Sequence, residues 1–203
     1  VLGLRHEAFA LPPERQTLAC LLDLIYRSYG ERHFPEATRW GDQSIENTLQ
    51  IQWLLKVFPR AKYLHVLRDG RDVASSWVKQ GRPVDNAVDM WLIDLEKVGW
   101  LRKRLPPECF HEVRYEDLVA DPERALGPVC AFAGIPYRPA MLDYWQHDTT
   151  VEHKDDPKLH GNLAKPVFTA SVGSWRARLS AEEQQVVLDR LGPSLAEHGY
   201  GAD

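Results

Sequence analysis

The stretch KYLHVL, residues 62–67, is short and apolar-rich, and it stops abruptly at the charged run RDGRD, residues 68–72. An apolar run of that length bounded so sharply reads as a strand buried on both faces. Such a strand belongs to a sheet with helices laid against it, so the rest of the chain has to supply the cover. Apolar residues recur at helical spacing over 13–30, 44–58, 73–79, 84–104, 122–133 and 138–146. A capping box, Ser180-Ala181-Glu182-Glu183, opens a last amphipathic helix, which Gly192-Pro193 is expected to interrupt. A second strand is predicted at 110–115, FHEVRY, and 147–170, rich in charge and histidine, reads as a loop. Two strands are too few for a covered sheet, so the pattern implies strands beyond these two.

A length of 203 residues suits one domain spanning 1–203. Twenty-five Lys and Arg against 29 Asp and Glu leave a net charge of −4, so bulk charge offers no case for nucleic acid or an anionic membrane. No apolar run reaches the length of a membrane span. Cys20, Cys109 and Cys130 are odd in number and far apart, which fits free thiols and a cytoplasmic setting better than a disulfide framework.

The chemistry concentrates at 62–77, KYLHVLRDGRDVASSW. The strand delivers Arg68 at its carboxyl end, where open α/β folds bind ligands. A turn at Asp69-Gly70-Arg71-Asp72 follows, and then a helix presents Ser75 and Ser76. A guanidinium fork, a hydroxyl and the amides of a helix start together make a small anion socket. The same residues equally describe a surface turn laced with salt bridges, and composition does not choose between the two.

The order of the surrounding motifs adds to this. FPRAKYLHVLRDGRDVASSW (58–77) is preceded by RWGDQSIEN (39–47) and followed by VRYEDLVADPERAL (113–126) and AKPVFTASVGSWRARLS (164–180). In that order the segments resemble the sulfotransferase family, in particular a bacterial group related to tyrosylprotein sulfotransferases. The resemblance implies a helix-rich α/β fold of the P-loop-NTPase-like, three-layer kind with a central parallel sheet. It implies transfer of a sulfuryl group from 3′-phosphoadenosine-5′-phosphosulfate (PAPS) to a hydroxyl or amine, with no metal and with a small-molecule or peptide acceptor. Arg68 and Ser76 match the pair that holds the donor's 3′-phosphate. Tyr115 matches a tyrosine near the nucleotide, and Glu116 and Asp117 match scaffold. Lys165, Ser171, Trp175 and Arg176 match a late segment that folds over the nucleotide, although Trp175 reads equally well as core.

Two departures qualify the resemblance. The family's glycine-rich phosphate loop has no counterpart in residues 1–38, so the expectation is a chain truncated ahead of Val1. Gln43 stands where relatives carry a lysine that offsets charge on the bridging oxygen, and Ile45 stands where they carry proline. Asp42, beside Gln43, reads as a base or a helix cap. His6, Glu7, Asp42 and Glu46 are the candidates to take the acceptor's proton. A non-catalytic nucleotide-binding or interaction module is the alternative to an enzyme. A P-loop kinase fits less well, because the eight-residue interval from Arg68 to Ser76 and the run VGSWR suit a sulfuryl donor. The cluster His147, His153, His160, Asp148, Asp155 and Asp156 has no standard metal-binding spacing. Phe9, Trp77, Trp91 and Trp100 read as acceptor-pocket lining or core, with core preferred for Trp91.

Overall fold

The computed structural model describes residues 12, 15–44, 46–146 and 165–201. His6, Glu7, Phe9, Ile45 and the histidine-rich stretch with its acids at 147–164 lie outside the described residues. The chain divides into two compact units, Val1–Ala61 and Lys62–Asp203.

In the first unit, α1 (Leu18–His33) starts where Thr17 accepts a hydrogen bond from the Cys20 amide at 3.2 Å, and it ends with Arg32 and His33 against the negative end of its dipole. The single helix expected over 44–58 is two, α2 (Glu46–Leu49) and α3 (Ile51–Val57). The break falls at Gln50, whose φ −98° and ψ 11° lie outside the helical well. Trp40 stacks flat on Tyr26 of α1, with centroids 4.3 Å apart, and meets Phe58 edge-on at 5.6 Å. These ring contacts fasten the segment ahead of α2 to α1.

The second unit is built on β1 (Tyr63–Leu67) and β2 (Phe110–Arg114), paired in parallel with Tyr63 opposite Phe110 and Leu67 opposite Arg114. His65 and Glu112 face each other in that register, and Nδ1 lies 2.9 Å from Oε2. The parallel pairing requires a crossover, supplied by α4 (Gly70–Lys79) and α5 (Val84–Arg102). The expected burial of β1 on both faces is not seen among the described residues. Leu64 and Val66, on one face, are 46% and 47% exposed. Side chains alternate across a strand, so Leu67 is buried while these two are not.

After β2 the chain goes directly into α6 (Tyr115–Ala120), a helix that the sequence reading passed over. Next comes α7 (Pro122–Ala133), capped by Asp121 and ended by Gly134 at φ +71°. The stretch expected as a helix at 138–146 is a 3-10 helix, Pro139–Gln146. The short α8 (Trp175–Arg178) and the long α9 (Ala181–Glu197) follow. The expected interruption at Gly192-Pro193 does not occur, and α9 runs through Pro193. Val187, Leu191 and Leu195 of α9 are all buried, with Leu191 at 0% exposure. Their burial outweighs a proline penalty of about 3 kcal/mol, since each such side chain contributes roughly 1.5–3 kcal/mol.

The core of this unit gathers Leu67, Ala74, Val88, Trp91, Trp175 and Leu191. Gly70 is where α4 touches it most closely. A Cβ there would lie 2.7 Å from Leu191 Cδ1 and 2.9 Å from the Trp91 ring, so only glycine fits. Among the described residues, no helix is long and apolar enough to cross a membrane.

Candidate functional site

The site grows out of the run 68–72. Asp69 caps α4 by accepting from the Arg71 amide at 2.8 Å, so the helix begins at Gly70 and not at the expected 73. The expected chain reversal is therefore the first turn of a helix. The Arg71 amide is spent on Asp69, and the helix start does not offer it to an anion. Arg71 is 4% exposed, and its side chain binds the same carboxylate through Nε (3.0 Å to Oδ1) and Nη2 (2.8 Å to Oδ2). Its Nη1 donates to the Gly201 carbonyl at 2.8 Å, and its guanidinium lies 4.8 Å from the centroid of Trp175. Glu116 braces the turn, accepting from the Asp69 amide at 3.0 Å and from Tyr200 Oη at 3.1 Å. Burial beside that carboxylate holds the Tyr200 phenol well above its ordinary pKa.

Arg68 is treated very differently. Its carbonyl accepts from Trp91 Nε1 at 3.0 Å, which anchors the backbone. Its guanidinium lies over the Tyr115 ring, 4.3 Å from the centroid, and Nη2 donates to the Ser171 carbonyl at 3.1 Å. Arg68 Nε is buried and has no hydrogen-bond partner among the described residues. Tyr115 Oη and Ser171 Oγ are 2.7 Å apart. Three expected site residues from three distant segments, Arg68, Tyr115 and Ser171, therefore meet. On α4, Ser75 is 0% exposed and donates to the Asp72 carbonyl at 3.1 Å. Ser76 is half-buried, and its hydroxyl makes no hydrogen bond among the described residues, so it is the available hydroxyl of the two.

The remaining late-segment residues lie elsewhere. Trp175 is 4% exposed and part of the core, with the guanidinia of Arg71 and Arg176 over its ring at 4.8 and 4.6 Å. It presents no open face for stacking. Its Nε1 is buried without a partner among the described residues. The exposed Arg176 adjoins it, and the Arg176 carbonyl accepts from Gln184. Lys165 is exposed, and its carbonyl accepts from Tyr144 Oη at 2.9 Å.

Sequence reading missed Asp72. This carboxylate, 1% exposed, accepts from the Gly173 amide at 2.7 Å, the Trp175 amide at 3.0 Å and Ser174 Oγ at 3.2 Å. The only local sign of it is an acid in a helix's first turn, a common and uninformative feature.

In the first unit, Asp42 is tied down on every side. It accepts from Tyr26 Oη, from the Ser44 amide at 2.7 Å and from Asn47 Nδ2 at 2.7 Å. These bonds, the tyrosine's foremost, hold its carboxyl below the usual range, and they push the Tyr26 phenol up to about 12. A carboxylate so placed is a weak proton acceptor; it binds the Ser44 amide and the Asn47 side chain ahead of and on α2, and among the described residues it accepts from no backbone amide of that helix. Asp23 fixes Trp40 through Nε1 at 2.9 Å. Gln43, exposed between these pinned neighbours, makes no side-chain hydrogen bond among the described residues. Glu46 is exposed in the first turn of α2.

Comparison with known proteins adds independent findings. Residues 5–139 match the model of a family described as the sulfotransferase family. The omega-hydroxy-beta-dihydromenaquinone-9 sulfotransferase Stf3 of Mycobacterium bovis is 30% identical over 169 residues, which is 76% of this chain and 39% of that protein. A putative protein-tyrosine sulfotransferase of Caenorhabditis elegans is 24% identical over 178 residues, 83% of this chain and 68% of the relative. Among solved structures, the sulfotransferase domain of the Synechococcus PCC 7002 olefin synthase superposes with a TM-score of 0.66 at 22% identity, covering 96% of this chain and 78% of that one. The α/β fold is thus that of sulfotransferase domains. The chain spans well under half the length of the mycobacterial relative.

Proposed function

Because the chain belongs to the sulfotransferase family, we propose that it serves sulfuryl transfer from PAPS to a hydroxyl or amine acceptor. The observation that carries this reading is Arg68: a cation at a strand's carboxyl end, laid on Tyr115, with a buried Nε that has no partner, and no carboxylate against it, among the described residues. A buried N–H donor without an acceptor is costly, and an anionic oxygen removes the cost. The residues present therefore fit the donor's 3′-phosphate, with Arg68 and Ser76 as its holders and Tyr115 and Ser171 bordering it. Lys165 and Arg176 supply further positive charge from the late segment. Trp175 contributes as the buried support of that segment.

When bound, the donor supplies an activated sulfur whose bond to a phosphate oxygen breaks as a bond to the acceptor's oxygen or nitrogen forms. The chain's part is to hold that donor, orient the acceptor and receive its proton. His6, Glu7 and Glu46 remain candidates for the proton, and the depressed pKa of Asp42 disfavours it for that role. Gln43 offers a neutral hydrogen bond where the resemblance has a cation. The names of the two relatives, an omega-hydroxy-beta-dihydromenaquinone-9 sulfotransferase and a putative protein-tyrosine sulfotransferase, favour a hydroxyl acceptor on a small molecule or peptide. Three free cysteines suit a reducing, cytoplasmic setting.

The second reading, a nucleotide-binding module without turnover, is favoured by Gln43, which brings no positive charge. Incubation with sulfur-labelled PAPS and a panel of phenols and alcohols separates the two. The proposal expects labelled sulfate ester. Binding of 3′,5′-adenosine bisphosphate with no labelled ester across the panel would select the module.

A further inference from the structure

We infer that Asp72 is the positioning residue of the donor site, holding the segment Ser171–Trp175 so that the Ser171 carbonyl and hydroxyl meet Arg68 and Tyr115. The inference rests on the reading of Arg68 as the phosphate-binding cation. Asp72 lies in the first turn of α4, four residues after Arg68 at the carboxyl end of β1, so one short strand-to-helix passage carries both the cation and the anchor of the segment facing it.

The segment at 165–174 contains no helix or strand and consists of turns, bends and irregular backbone. Its hold on the rest of the unit is therefore read from specific bonds. Two of them, to Arg68 and Tyr115, are made by Ser171. Three more converge on the Asp72 carboxylate, from Gly173, Ser174 and Trp175. Ser174 Oγ also lies 3.1 Å from the Ser171 carbonyl, so its one proton is shared between the oxygen facing Arg68 and the Asp72 carboxylate. Gly173 reaches this arrangement at φ +70°, a conformation that disfavours any other residue. Without the carboxylate, two buried-side amides lose their acceptor, and ordering the segment becomes a cost charged to ligand binding.

A negative charge near a phosphate would ordinarily oppose binding, and this sets apart two roles for Asp72. Acting through charge, Asp72→Asn would tighten the nucleotide. Acting through geometry, it weakens it, because the amide nitrogen meets N–H donors that need an acceptor.

The test is calorimetric titration of the chain with 3′,5′-adenosine bisphosphate, paired with amide hydrogen exchange at Gly173 and Trp175. Asp72→Asn is expected to bind about tenfold more weakly, with both amides exchanging faster. Gly173→Ala leaves the carboxylate and the core side chains in place, strains the same segment, and is expected to lose about tenfold as well. Under turnover, donor KM rises in both variants while kcat at saturating donor holds. If the wild-type chain binds and either folded variant binds as well as it does, the positioning role is overturned. If the wild-type chain itself does not bind, the reading of Arg68 fails first and takes this inference with it.

Discussion

Arg68 and Arg71 stand three residues apart in one short run, yet they have opposite fates. Arg71 is buried with its guanidinium on the Asp69 carboxylate, the Gly201 carbonyl and the Trp175 ring. Arg68 carries one hydrogen bond to a carbonyl, lies on Tyr115 and keeps its Nε unpartnered among the described residues. The sequence reading posed an anion socket and a salt-bridged turn as rivals. In the structure the ion pair falls at 69 and 71, and Arg68 has no carboxylate partner among the described residues. A paired guanidinium stabilises the turn, whereas an unpaired one beside it is available to a ligand.

The sharpest way to break this contrast is to exchange the effects of the two arginines. Arg71→Ala leaves the Asp69 carboxylate buried without its cation, and chemical denaturation should show a loss of about 3–5 kcal/mol. Arg68→Ala should leave the unfolding midpoint nearly unchanged and weaken 3′,5′-adenosine bisphosphate by about a hundredfold in calorimetry. Equal stability losses in the two variants would erase the distinction. Gly70→Ala tests whether the close approach of α4 to Trp91 and Leu191 sets the run in place. Overpacking there should cost about 1–3 kcal/mol in thermal or denaturant unfolding. Ser76→Ala should weaken the same nucleotide about tenfold with no change in stability, while Ser75→Ala should not reproduce that binding loss.

The smallest expected effect lies in the first unit and depends on pH. The Tyr26 phenol is raised from 10.0 to about 12 by its bond to Asp42, so its contribution to stability is whole below the unfolded value and fades as pH climbs through about 12. The lowered Asp42 carboxyl contributes above its unfolded value and loses that contribution as pH falls through the depressed one. Tyr26→Phe should be less stable than wild type by about 0.5–1 kcal/mol near neutrality. The gap should close at high pH, as followed by circular dichroism across the alkaline range. Tyr200, also raised, is present in both proteins and cancels in the difference.

The two strands and the crossover helices were legible, because period changes are local signals. Other features were not. DGRD was read as a reversal because Asp69 is as good a helix cap as a turn residue, and only its bond to the Arg71 amide decides the matter. The strand was read as running through Tyr115, with Glu116 and Asp117 as scaffold, which hid α6. Pro193 was read as a break because a proline's local cost is visible in sequence while the burial of Leu191 and Leu195 is not. Asp72 was illegible as an anchor, since its partners lie 101 to 103 residues away and no periodicity connects them.

The most direct test of the account is one titration of 3′,5′-adenosine bisphosphate into the wild-type chain and into the Arg68→Ala/Ser76→Ala double variant. The account predicts saturable one-to-one binding by the wild type and no measurable heat of binding from a double variant that still folds. Binding of similar affinity in both would contradict it, because the nucleotide would then be held somewhere other than at Arg68 and Ser76.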